Sequence, residues 1–135
     1  MDWILGRLAC GTFDEAQVLV ADGPFDGVLN LSERFSETVV PCIHAPMPDE
    51  VFLERALWET QIAILGTLLR RSRRAVLVHC RLGVSRSPAL CAAYLTASGM
   101  ARDPSEGLAI VQAQRRVTKI HPETLRGIVA WWQQR

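Results

Sequence analysis

A short run in the second half of the chain contains residues that together could transfer a phosphoryl group. Residues 79–87 read HCRLGVSRS, so Cys80 precedes Arg86 by six positions with Gly83 between them. The apolar run 75–78 comes directly before this segment, and a helical pattern follows it. A loop between a strand and a helix directs backbone N–H groups into a concavity at the helix N-terminus, where tetrahedral oxyanions bind. The segment therefore predicts an anion-binding loop.

Three residues of this loop have types that suit the cleavage of a phosphate ester. A cysteine in a positive field is expected to ionise to a nucleophilic thiolate near neutral pH, which assigns the attack on phosphorus to Cys80. The planar guanidinium of Arg86 can donate two N–H groups to two phosphate oxygens. Gly83 permits a backbone turn that a side chain would obstruct. These residues predict phosphoryl transfer through a phospho-cysteine.

The loop also carries a family resemblance. His-Cys-x5-Arg-Ser, with Gly-Val-Ser-Arg-Ser inside it, resembles the signature of cysteine-dependent protein phosphatases, in particular the compact dual-specificity group. Residues 28–32 resemble that group's early core strand, 46–49 its general-acid loop, and 100–117 the helix after its active-site helix. Leu82 departs from the family's commonest loop, which has alanine there. The resemblance implies one α/β domain over residues 1–135, with a central, mainly parallel sheet flanked by helices.

The resemblance extends to the roles of individual side chains. The residues expected to bind the phosphate are Arg81, Leu82, Gly83, Val84, Ser85 and Arg86. Asp49, on a proline-stiffened loop, is expected to protonate the leaving oxygen and then to activate water, with Glu50 as the rival acid. The Ser87 hydroxyl is implied to hydrogen-bond the Cys80 sulfur, yet its position before Pro88 also suits a helix N-cap. Both roles of Ser87 stay open.

The other cysteines and His79 are not expected to take part in the attack on phosphorus. His79 should point away from Cys80, because consecutive strand residues face opposite sides, and should orient the loop by hydrogen bonding. Cys10 and Cys91 are expected to be structural rather than reactive, with Cys91 in the core. Cys42 is a hypothetical partner that would trap an oxidised Cys80 as a disulfide.

Two basic clusters could attract anions. Arg115 and Arg116, with Lys119, follow a helix that returns towards the loop, and we expect them at the substrate rim; a solvated basic face is the alternative. The run 70–74 ends a predicted helix, where cations complement the helix dipole. That helix end lies opposite the loop, so the run does not indicate a nucleic-acid partner.

Composition limits the class of protein. The chain has 135 residues, 49% hydrophobic and 21% charged, with a net charge of +1. These values are ordinary for a soluble globular domain and favour neither a nucleic-acid nor a membrane partner. No apolar run approaches the roughly 18 residues of a membrane helix, and the N-terminus does not resemble a signal peptide. A cytoplasmic location is expected, since a reducing compartment suits a working thiolate. The protein is also expected to be a monomer.

No metal or cofactor is expected. The four cysteines lack the C-x-x-C spacing of a zinc site. The loop and Arg86 would also supply the positive field that a magnesium ion supplies in other phosphoryl-transfer enzymes.

The order of predicted elements places the loop at one end of a sheet. Strands are predicted at 3–8, 25–31, 39–44 and 75–78, and helices at 14–21, 51–71, 88–98, 105–114 and 123–133. In open α/β sheets, ligands bind beyond the carboxyl ends of the strands. The loop after residue 78 and Asp49, which follows the third strand, should therefore lie at the same end.

The resemblance implies a phosphomonoesterase that acts on phosphoproteins, on phosphotyrosine and also on phosphoserine or phosphothreonine. One alternative is a non-protein substrate, such as a phosphoinositide or an RNA 5′-phosphate, which the second loop arginine, Arg81, leaves open. Another is a catalytically idle phospho-binding module. Such a module would keep Arg86 and lose Cys80, whereas this chain has both.

Overall fold

Five strands form the centre of the chain, and five helices surround them. The computed structural model describes all residues, 1–135. Its strands are β1 (Asp2–Leu5), β2 (Leu8–Gly11), β3 (Phe25–Asn30), β4 (Cys42–His44) and β5 (Ala75–His79); its helices are α1 (Phe13–Gln17), α2 (Arg55–Arg71), α3 (Arg86–Ala97), α4 (Pro104–Gln114) and α5 (Pro122–Gln133). The strand order is β1-β2-β5-β3-β4, and only the β1–β2 pairing is antiparallel. The predicted mainly parallel sheet with flanking helices is confirmed.

The central strand β5 is buried on both faces, which explains why it reads as a continuous apolar run. Val76 and Val78 face the larger hydrophobic cluster, which contains residues of α2, α3, α4 and α5. Ala75 and Leu77 face a smaller cluster that includes Ala16 of α1. None of the helices is long and apolar enough to span a membrane.

The prediction of one opening strand over residues 3–8 is wrong. These residues form the antiparallel hairpin of β1 and β2, which turns at Gly6 and Arg7. Gly6 has a φ of 57°, in the left-handed region that favours glycine. A two-residue Gly-X connection is a hairpin signal that the sequence contained.

Three predicted boundaries differ from the structure, each for a local reason. The strand expected at 39–44 is only Cys42–His44, because Pro41 has no N–H to donate to a ladder. The helix expected at 14–21 stops at Gln17, since Val18 and Val20 are exposed and would gain little burial by continuing it. The helix expected from 51 begins at Arg55, and the preceding residues form an extended segment.

The helix after the loop begins two residues earlier than expected. It starts at Arg86, so the N-cap position is Ser85, and Ser87 lies in the first turn. The prediction that Ser87 caps this helix is therefore wrong, and its hydroxyl is free for another partner. At α4 the N-cap is Asp103, whose side chain accepts a hydrogen bond from the Glu106 N–H at 2.9 Å.

Candidate active site

A cleft of about 390 Å³ opens over the loop that joins β5 to α3. Its lining residues are Asp49, Glu50, Cys80, Arg81, Leu82, Val84, Ser85, Arg86, Lys119, Ile120, His121 and Pro122. Cys80 is only 3% exposed and is the first residue after β5, whereas Asp49 is well exposed. The predicted nucleophile, arginine and acid thus line one cleft at the carboxyl end of the sheet.

The backbone of the loop is held from outside by hydrogen bonds to its carbonyl groups. The Arg81 carbonyl accepts from the Phe13 N–H at 3.0 Å, and the Val84 carbonyl accepts from the Lys119 N–H at 2.7 Å. In a planar trans peptide the C=O and the N–H of the next residue point in opposite directions. Outward carbonyls at these positions therefore leave the next N–H groups free for a ligand.

Gly83 occupies a position that no other residue fits. Its φ is 68°, and a Cβ added there would lie 2.5 Å from the Gly11 carbonyl oxygen and 2.5 Å from Nη2 of Arg115. The first contact is with backbone, which cannot rotate away. The glycine is therefore required both by its dihedral angle and by its neighbours.

Two buried sulfur atoms contact the Ser87 hydroxyl, and a third lies behind them. Ser87 Oγ lies 3.2 Å from Cys80 Sγ and accepts a hydrogen bond from Cys10 Sγ at 3.3 Å. The hydroxyl therefore lies between the sulfur atoms of Cys80 and Cys10. Cys10 in turn hydrogen-bonds Cys91, and this bond, together with complete burial, raises the pKa of Cys91 well above its usual value. Cys91 is therefore a neutral thiol at neutral pH.

His79 supports the loop without contacting the sulfur. Its Nδ1 lies 2.9 Å from the Cys80 carbonyl oxygen, and its ring packs edge-on against Phe13 at 5.6 Å. Burial lowers the pKa of His79, so the ring is neutral and donates from Nδ1. His79 thus orients the loop from the face of the sheet opposite Cys80, as expected from strand alternation.

Arg86 is buried beneath the cleft, with 4% of its side chain exposed. Nη1 donates to Glu33 Oε1 at 2.6 Å and to the Met47 carbonyl oxygen at 3.2 Å. Nε lies 3.6 Å from Oδ1 of Asp49. The guanidinium is therefore fixed by one nitrogen, while Nη2 makes no hydrogen bond to protein and remains available to an anion.

Glu33 is a site residue that the sequence analysis missed. Asn30, fully buried at the end of β3, accepts hydrogen bonds at Oδ1 from the N–H and hydroxyl of Ser32 and donates to the Arg34 carbonyl. This turn presents Glu33 to Arg86. The backbone N–H of Glu33 and the charge of Arg86 hold the pKa of that carboxyl below its usual range. An Asn-x-Ser sequence after a strand is a turn signal, but it does not indicate the distant arginine.

The loop that carries Asp49 is anchored to the hydrophobic core through Met47. The Met47 N–H donates to the Leu31 carbonyl at 3.0 Å, and the Met47 side chain is 1% exposed. Glu50 has a φ of 57°, and its N–H donates to Oδ1 of Asp49 at 3.0 Å. Between the two rival acids, this geometry favours Asp49, which the loop directs towards Arg86.

The expected basic rim is only partly present. Arg115 is 5% exposed and does not line the cleft, so its prediction as a rim residue is wrong; the burial follows from an ion pair with Asp2. Arg116 is exposed but does not line the cleft either. Lys119 and Arg81 do line it, and both are exposed. Two cations thus stand at the mouth, from different elements.

Cys42 is poorly placed to trap Cys80. Cys42 lies on β4, where it pairs with Val28 of β3. Strand β3 in turn separates β4 from β5, which leads to Cys80. Two strand spacings are about 10 Å, whereas the Cα atoms of a disulfide lie within about 7 Å. Cys10, opposite Val78 on the adjacent strand β2, is much nearer to the sulfur of Cys80. The disulfide hypothesis for Cys42 is therefore not supported.

Comparisons with known proteins agree with this geometry. A family model described as the catalytic domain of dual specificity phosphatases matches residues 14–134. Mouse dual specificity protein phosphatase 2 is 31% identical over 97 residues, which are 70% of this chain and 30% of the mouse protein. This chain therefore matches less than a third of the length of that relative.

Solved structures share the fold at lower identity. Human DUSP28 superposes with a TM-score of 0.86 at 21% identity, over 99% of this chain and 96% of that chain. PTPMT1, solved in complex with PI(5)P, superposes with a TM-score of 0.72 at 20% identity, over 93% of this chain and 88% of that chain. The family match covers nearly the whole chain, including the cleft. The chain therefore belongs to the family of dual-specificity phosphatase catalytic domains.

Proposed function

We propose that this protein is a cytoplasmic phosphomonoesterase that dephosphorylates phosphoproteins through a Cys80 phospho-cysteine. The observation that carries the proposal is the position of Cys80 at the floor of a cleft that Arg86 and Asp49 also line. Nucleophile, transition-state donor and acid are the three groups that metal-free phosphate ester cleavage requires.

In the first step, the Cys80 thiolate attacks phosphorus, an S–P bond forms and the bond from phosphorus to the ester oxygen breaks. The free Nη2 of Arg86 and the inward N–H groups of the loop hold the equatorial oxygens as charge shifts. Asp49, in its protonated form, transfers its proton to the departing oxygen.

In the second step, water attacks the phospho-cysteine, and Asp49 accepts the proton that water loses. The S–P bond breaks, and inorganic phosphate leaves. The Ser87 hydroxyl, 3.2 Å from the sulfur, donates to the returning thiolate and stabilises it as a leaving group.

The shape of the cleft supports a phosphorylated side chain as substrate. Beside the catalytic groups, its walls include the apolar side chains of Leu82, Ile120 and Pro122. Leu82 is 64% exposed, which is unusual for a leucine and leaves it free to contact a substrate. Apolar walls around an anion-binding floor suit a phosphotyrosine ring and also accept the shorter phosphoserine and phosphothreonine.

A substrate panel in EDTA tests this proposal directly. We expect kcat/KM to be higher for phosphotyrosine and phosphothreonine peptides than for phosphoinositides or 5′-phosphorylated RNA. Release of phosphate from p-nitrophenyl phosphate in EDTA separates an enzyme from an idle binding module. A protein that binds vanadate but releases no phosphate from any of these esters would contradict the proposed activity.

A polyanionic, non-protein substrate is the second candidate. Arg81 and Lys119 stand exposed at the mouth, and neither side chain makes a hydrogen bond or ion pair with protein. Two free cations beside one phosphate site suit a substrate with more than one anionic group. In the same panel, a higher kcat/KM for a phosphoinositide or an RNA 5′-phosphate would favour this candidate.

Selective alkylation is expected at Cys80. Near pH 6, iodoacetate should label Cys80 much faster than the other three cysteines, because the loop that surrounds this sulfur attracts anions such as the reagent. Cys42 is the exposed rival, but desolvation raises its pKa and keeps it protonated at this pH. Mass spectrometry of the labelled peptides, with and without vanadate, measures the selectivity. Equal labelling of Cys42 and Cys80 would contradict an activated thiolate.

A further inference from the structure

Arg115 is the only charged side chain that binds the backbone of the phosphate loop from behind. Its Nε donates to the Gly83 carbonyl oxygen at 2.6 Å, and its Nη1 donates to Oδ2 of Asp2 at 2.8 Å. With 5% of its side chain exposed, the guanidinium is inside the protein and is paired there. A buried charge is tolerated when it is paired and hydrogen-bonded in this way.

The hydrogen bond from Arg115 determines the direction of one loop peptide. The Gly83 carbonyl points outward to the guanidinium, so the N–H of Val84 in the same peptide points the opposite way. Val84 lines the cleft. Backbone hydrogen bonds orient the neighbouring peptides at Arg81 and Val84, but the peptide after Gly83 depends on this one side chain.

The packing around Gly83 leaves this peptide little room to adapt. Nη2 of Arg115 and the Gly11 carbonyl oxygen both lie 2.5 Å from the place where a Cβ of Gly83 would stand. Gly11 belongs to β2, and Asp2 belongs to β1. The N-terminal hairpin therefore contacts the loop twice, directly through Gly11 and indirectly through the ion pair of Asp2 with Arg115.

We propose that Arg115 is a positioning residue that holds the Val84 N–H towards the phosphate, and that Asp2 holds Arg115 for this purpose. Arg115 does not line the cleft, so it acts on the substrate through the Gly83 peptide and not by contact. The inference deepens the proposed function, because it assigns a source to part of the loop's affinity for oxyanions.

The test compares Arg115→Gln, Arg115→Lys and Asp2→Asn with the unchanged protein. One preorganised donor contributes about 10²–10³ to the rate in related oxyanion sites, and Arg115 acts through such a donor. We expect Arg115→Gln to lower kcat/KM for p-nitrophenyl phosphate by about 10–10²-fold and to weaken vanadate binding by about tenfold or more. Arg115→Lys should retain more of the kcat/KM and of the vanadate affinity than Arg115→Gln does. Asp2→Asn should lower the same two quantities by a smaller factor.

Further measurements separate positioning from general stability. The rate of Cys80 alkylation against pH should shift to higher pH in Arg115→Gln, because a misdirected N–H no longer stabilises the thiolate. Arg102→Gln, which removes an exposed ion pair with Glu106 on the segment leading into α4, is the matched control and should change neither readout.

Two outcomes would overturn the proposal. One is a lowered melting temperature in Arg115→Gln with vanadate affinity and the alkylation profile unchanged. The other, should Arg115→Gln fail to fold, is an Asp2→Asn variant that folds and behaves as the unchanged protein in both readouts. Vanadate binding and alkylation require no turnover, so they test Arg115 even if the unchanged protein hydrolyses no phosphate ester.

Discussion

Replacement of Cys80 by serine is expected to abolish phosphate release while the cleft still binds an oxyanion. A serine hydroxyl is not ionised at neutral pH, and the only side chain that hydrogen-bonds residue 80 is Ser87, which is not a base. Arg86 and the loop N–H groups, which bind the phosphate, are unchanged by the substitution. Loss of the nucleophile in another covalent enzyme reduces kcat by about 10⁶-fold, and we expect a loss of that order. Single-turnover assays with p-nitrophenyl phosphate measure it, and titration with inorganic phosphate, which forms no bond to the sulfur, measures the retained binding.

Cys42→Ser is the matched control for this prediction. Cys42 is exposed, lies outside the cleft and makes no contact with Cys80, so its replacement should leave kcat/KM unchanged. Appreciable turnover by Cys80→Ser would rule out the phospho-cysteine route. Loss of inorganic phosphate binding along with turnover would instead indicate that Cys80 maintains the shape of the loop.

Replacement of Asp49 by asparagine is expected to impair the reaction most where the leaving group is most basic. A phosphotyrosine or phosphoserine peptide needs a proton on its departing oxygen, and such an acid contributes about 10²–10⁴-fold. The nitrophenolate of p-nitrophenyl phosphate departs more easily without a proton, so the decrease in kcat/KM with this substrate should be much smaller.

Glu50→Gln is the control one residue away. It removes a carboxyl group from the same loop, and the side chain of Asp49 keeps its hydrogen bond from the backbone of residue 50. We expect no dependence of its effect on the leaving group. If Glu50→Gln shows that dependence and Asp49→Asn does not, then Glu50 is the acid and the assignment to Asp49 is wrong.

The candidate site could be predicted from the sequence as far as it is local. Residues 79–87 form one continuous segment, so the nucleophile, the arginine and the glycine between them follow from a single pattern. Asp49 was accessible to the same reasoning, because prolines on both sides of Met47 exclude a helix there and indicate a loop. The position of the loop and of Asp49 at the same end of the sheet then followed from general rules for α/β sheets.

The parts that the sequence did not predict depend on distant partners. Glu33 contacts Arg86, 53 residues away, and Arg115 contacts Asp2, 113 residues away. No periodicity or turn signal connects such pairs, and an arginine in sequence looks the same whether it is buried or exposed. Arg115 was therefore expected at the surface, although its buried partners make it part of the interior. The hairpin at Gly6 is a different case. The sequence does contain a Gly-X turn signal there, although residues 3–8 were predicted to form one strand.

The two outer strands of the sheet bear on how copies of this chain meet in solution. β4, at one edge, has only three residues and follows Pro41, which cannot donate to a ladder. β1, at the other edge, has four residues, and its register with β2 is irregular between Trp3 and Leu5. Short, interrupted edges are poor templates for pairing with another strand, which protects a sheet protein from edge-to-edge aggregation. A partner that added a strand to this sheet would gain few backbone hydrogen bonds, so we expect partners to recognise side chains instead.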